Sequence, residues 1–149
     1  MKRKNRSKER VTNLTNRHQV RVRFNDCDPL NIVWHGIYVT YFEEGREAFG
    51  RNENISYLDV KSNNFVTPIV NFNCDHKLPL TYGDVATIET IFVDSPAAKM
   101  IFKYNVYNQR EELVCSGETT QVFLDMDGNM SLTIPDFFME WKRKVGLVD

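Results

Sequence analysis

The sequence is poor in residues that staple, ligate or anchor a chain. Only three cysteines occur among 149 residues, Cys27, Cys74 and Cys115. Their odd number and wide spacing fit neither a disulfide framework nor a zinc pattern, so a cytoplasmic protein with reduced thiols is expected. The histidines, His18, His35 and His76, are too scattered for a metal site, and no metal or other cofactor is expected. No apolar stretch approaches the roughly 20 residues of a membrane span. None follows the basic start as in a secretory signal, so neither membrane nor export is expected. A glycine-rich phosphate cradle is also missing. The run Asp125-Met126-Asp127-Gly128-Asn129 has its glycine fourth and Asp136 in twelfth place. A calcium loop of the EF-hand kind needs glycine sixth and glutamate twelfth, so this run reads as a turn.

What is present is an ordinary globular composition, 42% hydrophobic and 26% charged. The length suits one domain. Charge divides it unevenly. Residues 1–17 hold seven basic side chains and one acid, a net +6, and the remaining 132 residues sum to −7. The reading is a basic arm over 1–17 followed by a single domain over 18–149. Such an arm can touch nucleic acid, but it has no interleaved aromatics for stacking on bases. A solvated tail, dispensable for folding and turnover, is expected.

Hydrophobic periodicity gives the elements. Gln19 to Phe24 alternates, with Val20, Val22 and Phe24 on one side, as a half-buried strand does. From Gly36 to Phe49 the period becomes helical: Ile37, Tyr38, Tyr41, Phe42, Gly45, Ala48 and Phe49 share one broad face. Phe65–Cys74, Val85–Val93, Met100–Asn108 and Leu113–Asp125 are rich in β-branched and aromatic residues and read as strands. Pro135 opens a closing helix over Asp136–Val145, and Gly146 ends it. The fold class is therefore α+β. The economical packing is an antiparallel sheet of about five strands wrapped around one long helix. Such a sheet has open edges, and pairing them across a two-fold axis would cover one.

The stretch from Arg23 to Phe49 carries the chemistry. Asp28 follows a strand in a loop with turn residues, and His35 and Gly36 stand where the helix begins. A helix start has unpaired N–H groups and partial positive charge, suited to an oxyanion growing on a thioester carbonyl. A nearby carboxylate can attack that carbonyl or deprotonate water. By spacing alone this is only suggestive, because an Asp before a helix is usually a turn or capping residue. Asp26 reads as a loop hydrogen-bond acceptor, and Cys27 as an inert buried thiol rather than a nucleophile.

This stretch resembles the signature of the hotdog thioesterases, the 4-hydroxybenzoyl-CoA thioesterase-like family, on Asp28-Pro29, Ile32-Val33-Trp34 and Tyr38. His35 is similar to the histidine of the Tol-Pal-associated branch. Thr67-Pro68-Ile69-Val70 and Tyr82-Gly83-Asp84-Val85 match further blocks, and the likeness covers roughly residues 19–140. It implies a hotdog fold and hydrolysis of a small aromatic or aliphatic acyl-CoA, with Asp28 as nucleophile or general base. It also implies an oxyanion donor at the amide of His35, with that of Gly36. The His35 imidazole either orients Asp28 or water, or merely packs. On the substrate side the resemblance points to Trp34, Glu43 toward the acyl group, Thr67 across a subunit boundary, and Lys99. Glu43 has an alternative reading as a surface partner of Arg46. Only Lys99 remains of the family's basic phosphate-gripping run, so acyl carrier protein stays open beside CoA as carrier. A homodimer or tetramer is implied. Two other classes are compatible with the fold: an acyl-CoA-binding regulatory module without hydrolysis, and an acyl-thioester hydratase or dehydratase.

Overall fold

A computed structural model describes residues 8–149. Five strands form one antiparallel sheet in the order β1-β4-β5-β6-β3: β1 (Arg10–Arg21), β3 (Ile69–His76), β4 (Val85–Asp94), β5 (Lys99–Tyr107) and β6 (Leu113–Val122). A second, two-stranded ladder joins β2 (Phe65–Val66) to β7 (Leu124–Asp125). The long helix α1 (Tyr38–Asn52) lies against the sheet, and short helices α2 (Tyr57–Ser62) and α3 (Asp136–Lys144) complete the chain.

The helix packs as its periodicity requires. Tyr38, Tyr41, Phe42, Gly45, Ala48 and Phe49 are buried. Phe42 stacks on Tyr104 of β5 at 4.3 Å, and Phe49 meets Phe102 edge-on at 5.2 Å. Gly45 is needed for this approach, since a Cβ there would stand 2.5 Å from the Ile88 side chain. Helix α3 caps one end: Phe138 stacks on Trp141 at 5.4 Å, and Trp141 Nε1 donates to the Glu53 carbonyl at 2.7 Å. Lys142 is buried beside it. Its Nζ lies 2.8 Å from Asp94 Oδ1 and donates to the Ser95 carbonyl at 2.8 Å, so the charge is paired.

Several boundaries differ from expectation. The first strand runs Arg10–Arg21 instead of Gln19–Phe24. Residues 10–17 of the expected arm thus belong to the sheet, paired with β4, and residues 1–7 lie outside the described residues. The inward-leaning positions of β1 are Thr12, Leu14, Asn16, His18 and Val20. Polar side chains at three of the five conceal the alternation that marks a strand. Phe24 does not continue it; it sits exposed in a 3₁₀ turn, Phe24–Asp26. The expected strand Phe65–Cys74 breaks at Thr67-Pro68, where proline has no N–H to give a ladder. The expected strand Leu113–Asp125 breaks at Phe123. Helix α1 begins after a 3₁₀ turn, His35–Ile37, and extends to Asn52. The Asp125–Asn129 run is a turn, with Asp125 Oδ1 accepting from the amides of Asp127 and Asn129 at 2.9 Å each. Strand β3 is an open sheet edge, and Val70 and Phe72 on it are exposed.

Candidate active site

Asp26 ties the loop between β1 and α1 into shape. Its side chain is 2% exposed. It accepts from the Arg23 amide at 2.9 Å and the Tyr41 hydroxyl at 3.0 Å, and it faces the Arg23 guanidinium at 3.4 Å. Burial first, then the Asp26 contact, pushes the Tyr41 phenol far above its ordinary value, keeping it a donor. Asp26 is thus the loop acceptor the sequence suggests. From there the backbone doubles back on itself: the Asp28 amide donates to Ile32 at 2.9 Å and the Asn31 amide returns to Asp28 at 2.9 Å. Asn31 takes φ 63°, the left-handed region that asparagine tolerates. The Val33 amide, donating to the Leu80 carbonyl at 2.8 Å, fastens the loop to the segment before β4.

Asp28 heads this turn. Its Oδ1 accepts from the Leu30 amide at 2.8 Å, which aims the carboxylate and leaves its other oxygen available. Burial, and next the carboxylates of Asp26 and Asp28, push the Cys27 thiol up, away from the thiolate a nucleophile needs.

The chain then enters the 3₁₀ turn His35–Ile37, which leads directly into α1. Among the described residues no side chain caps it, and the Ile37 amide turns back, donating to the Trp34 carbonyl at 2.9 Å. The amides of His35 and Gly36 are the first of the helical run and have no intrahelical partner. The Trp34 ring folds over Gly36, where a Cβ would lie 2.3 Å from it, and stands 5.0 Å from the His35 ring.

Asp28 and His35 open onto one cleft of about 430 Å³, whose walls include Tyr38, His76, Lys77 and Leu78. A second cavity of about 390 Å³ lies further along α1, among Glu43, Arg46, Thr67, Phe102 and Gln121. There Gln121 Nε2 donates to the Thr67 carbonyl at 2.8 Å and to its Oγ1 at 3.2 Å. Arg46 donates to the Tyr104 hydroxyl at 3.2 Å, and forms no ion pair with Glu43 among the described residues. Within one chain, therefore, Glu43 and Thr67 share a cavity that Asp28 does not line. Lys99, paired opposite Val122 at the start of β5, lines neither space, and Trp34 covers the helix start without lining the Asp28 cleft. Sequence reasoning missed His76 and Lys77 as cleft residues. The only signal was two more residues of strand beyond Cys74. Among the described residues no group of His, Cys, Asp or Glu is gathered to hold a metal ion, and no helix is long and apolar enough to cross a membrane.

Asp28 and His35, at the start of the helical run, line one cleft, which Gly36, beneath the Trp34 ring, does not line; a carboxylate beside a helix start suits acyl-transfer chemistry. One antiparallel sheet wrapped on a single long helix is the hotdog architecture. A solved DHNA-CoA thioesterase from Staphylococcus aureus has the same fold, with a TM-score of 0.79 and 22% identity over 88% of this chain and 90% of that one. The sequence model of the thioesterase-like superfamily matches residues 22–142, and the chain belongs to that superfamily. The 4-hydroxybenzoyl-CoA thioesterase of Pseudomonas sp. (strain CBS-3) is 27% identical over 135 residues, covering 82% of this chain and 93% of its own. The 1,4-dihydroxy-2-naphthoyl-CoA hydrolase of Prochlorococcus marinus (strain MIT 9515) is 26% identical over 128 residues, covering 81% and 84%. The fold and superfamily expected from the sequence are borne out.

Proposed function

We propose that this protein hydrolyses a small acyl-CoA thioester to the free acid and CoA, with Asp28 as nucleophile or general base. The observation that carries the reading is that Asp28 and His35, the first residue of the helical run, line one cleft. In the general-base form, Asp28 takes a proton from water, whose oxygen attacks the thioester carbon. In the nucleophilic form, a carboxylate oxygen attacks first and water then splits the anhydride. In both, negative charge grows on the carbonyl oxygen and the amides of His35 and Gly36 receive it. Preorganised donors of this kind are worth about 10²–10³ in rate each. The relatives' named substrates support an aromatic acyl group; a short or medium aliphatic chain is the alternative.

The active unit in this reading is a dimer at least. The β3 edge offers unpaired backbone with exposed Val70 and Phe72, and covering it with a second copy satisfies both. A two-fold partner would also bring its Glu43 and Thr67 wall toward the Asp28 cleft, giving the acyl group a binding surface drawn from both chains. Lys99 then contributes positive charge toward the nucleotide phosphates from outside the cleft.

The test is thiol release measured over a panel of aromatic and aliphatic acyl-CoAs, with the same acyl groups on acyl carrier protein alongside. Release of free CoA from at least one is expected. A bound acyl-CoA that is never consumed would instead make the chain a binding module, and a change in the acyl chain without thiol release would make it a hydratase.

A further inference from the structure

The Asp28 cleft holds more proton chemistry than attack on the carbonyl uses. Asp28 and the helix-start amides serve the bond that forms, and none of them helps the sulfur to leave. When the tetrahedral intermediate collapses, the C–S bond breaks and its electron pair stays on sulfur. At neutral pH the product is mainly the thiol, since thiols ordinarily titrate near about 8.5. A proton donor beside the sulfur lowers that second barrier.

His76, the last residue of β3, and Lys77, just beyond it, line the cleft from its other side. The position of His76 is fixed from two sides. Its backbone pairs opposite Cys115 on β6, and its ring stands edge-on to Tyr38 at 4.7 Å and 82°. Tyr38 is itself only 2% exposed, so it is a firm support. Just beyond, the amides of Lys77 and Leu78 both donate to the Val114 carbonyl, at 2.8 and 3.0 Å, which pins the turn that follows. His18 faces Glu44 at 3.9 Å; His76 has no carboxylate partner among the described residues. Its imidazole is therefore positioned, reachable from the cleft and uncommitted.

The geometry points to His76 as the proton donor to the departing CoA sulfur, an inference that rests on the thioesterase reading. As the C–S bond breaks, the imidazolium N–H passes its proton to sulfur, giving the neutral thiol and a neutral imidazole. The proton released by water, through Asp28 in the general-base form or on splitting of the anhydride in the nucleophilic form, then returns the imidazole to its starting state through solvent. The balance is one thioester and one water in, one acid and one thiol out. The Lys77 ammonium adds positive charge to the same cleft, which favours charge growing on sulfur.

Leaving-group dependence separates this role from packing. The same acyl group would be presented on CoA and on a nitro-substituted aromatic thiol, whose thiolate departs without a proton. His76→Gln is expected to slow the CoA ester about 100-fold while slowing the aromatic ester less than about threefold, as loss of a general acid requires. His76→Phe keeps an aromatic ring against Tyr38 and is expected to show the same split. For His76→Ala, free imidazole in the buffer is expected to restore turnover of the CoA ester. If wild type cleaves both esters and the variants are slowed on both alike, or on neither, His76 is not the donor and the thioesterase reading stands. If wild type cleaves neither, both ideas fall.

Discussion

Asp26 and Asp28 stand two residues apart in one loop, yet their surroundings divide their work. Asp26 is buried and spends its oxygens on Arg23 and Tyr41. Asp28 faces a cleft and spends one oxygen on a turn. Asp26→Ala should therefore be a stability mutation: it orphans a buried hydroxyl and an amide and should cost about 2–4 kcal/mol. Asp28→Ala should cost under about 1 kcal/mol, as for one exposed turn contact. Urea unfolding of both variants checks the contrast, and equal losses would contradict it. The helix start allows a cleaner dissection. Trp34 has φ −64° and ψ 137°, the extended conformation that a residue before proline adopts. His35 occupies the first helical position, where proline is tolerated. His35→Pro should thus fold while losing the amide at that position, and turnover should fall about 10²–10³-fold. His35→Ala keeps the amide and should lose less. Turnover of the two variants, compared at matched melting temperature, decides whether the amide or the imidazole matters more; a larger loss in His35→Ala would reverse the assignment.

At the scale of elements, β1 changes what truncation should do. Removing residues 1–16 takes away Arg10 to Asn16, which pair with Asp94 to Thr90 of β4, and leaves that part of β4 as an unpaired edge. Thermal melts should show a large drop or failure to fold. An unchanged melt after this deletion would mean that this part of β1 contributes nothing. The same strand shows where sequence stops being readable. Helix α1 was legible because Tyr38, Tyr41, Phe42, Ala48 and Phe49 are all apolar on one stripe. The inward side of β1 instead carries Thr12, Asn16 and His18, with His18 facing Glu44 of the helix. That polar layer between strand and helix has no apolar period to detect. The break at Phe123 was hidden for the opposite reason, because the apolar run continues through it and only the pairing partner changes, whereas the break at Pro68 carried a readable signal in proline's missing N–H.

At the scale of the whole molecule, the residues proposed for the site line two separate cavities. Asp28 and His35 were legible in sequence because they lie together in one loop and its following turn. That Glu43 and Thr67 belong with them came from resemblance alone, and within one chain they line a separate space. His76 and Lys77 came into the cleft from the far edge strand, a placement fixed by sheet order and by nothing in local pattern. If two copies complete each site, sedimentation at micromolar concentration should show a dimer or larger. A random mixture of Asp28→Asn and Thr67→Trp subunits, each inactive alone, should then recover about a quarter of wild-type turnover, because half of two-fold dimers formed at random are mixed and each holds one intact site. A mixture as inactive as its parts, with exchange of subunits verified, would place the whole site within one chain.

All of this depends on one carboxylate. Asparagine at position 28 keeps the shape and can still accept from Leu30, so the turn survives; it neither attacks the thioester nor takes a proton from water. The most direct test is steady-state thiol release by Asp28→Asn on the best acyl-CoA of the panel, with melting temperature as the folding control. The account predicts an intact fold and a kcat reduced at least about 100-fold. A folded variant that keeps more than about a tenth of wild-type kcat, outside the range of general-base catalysis, would contradict it.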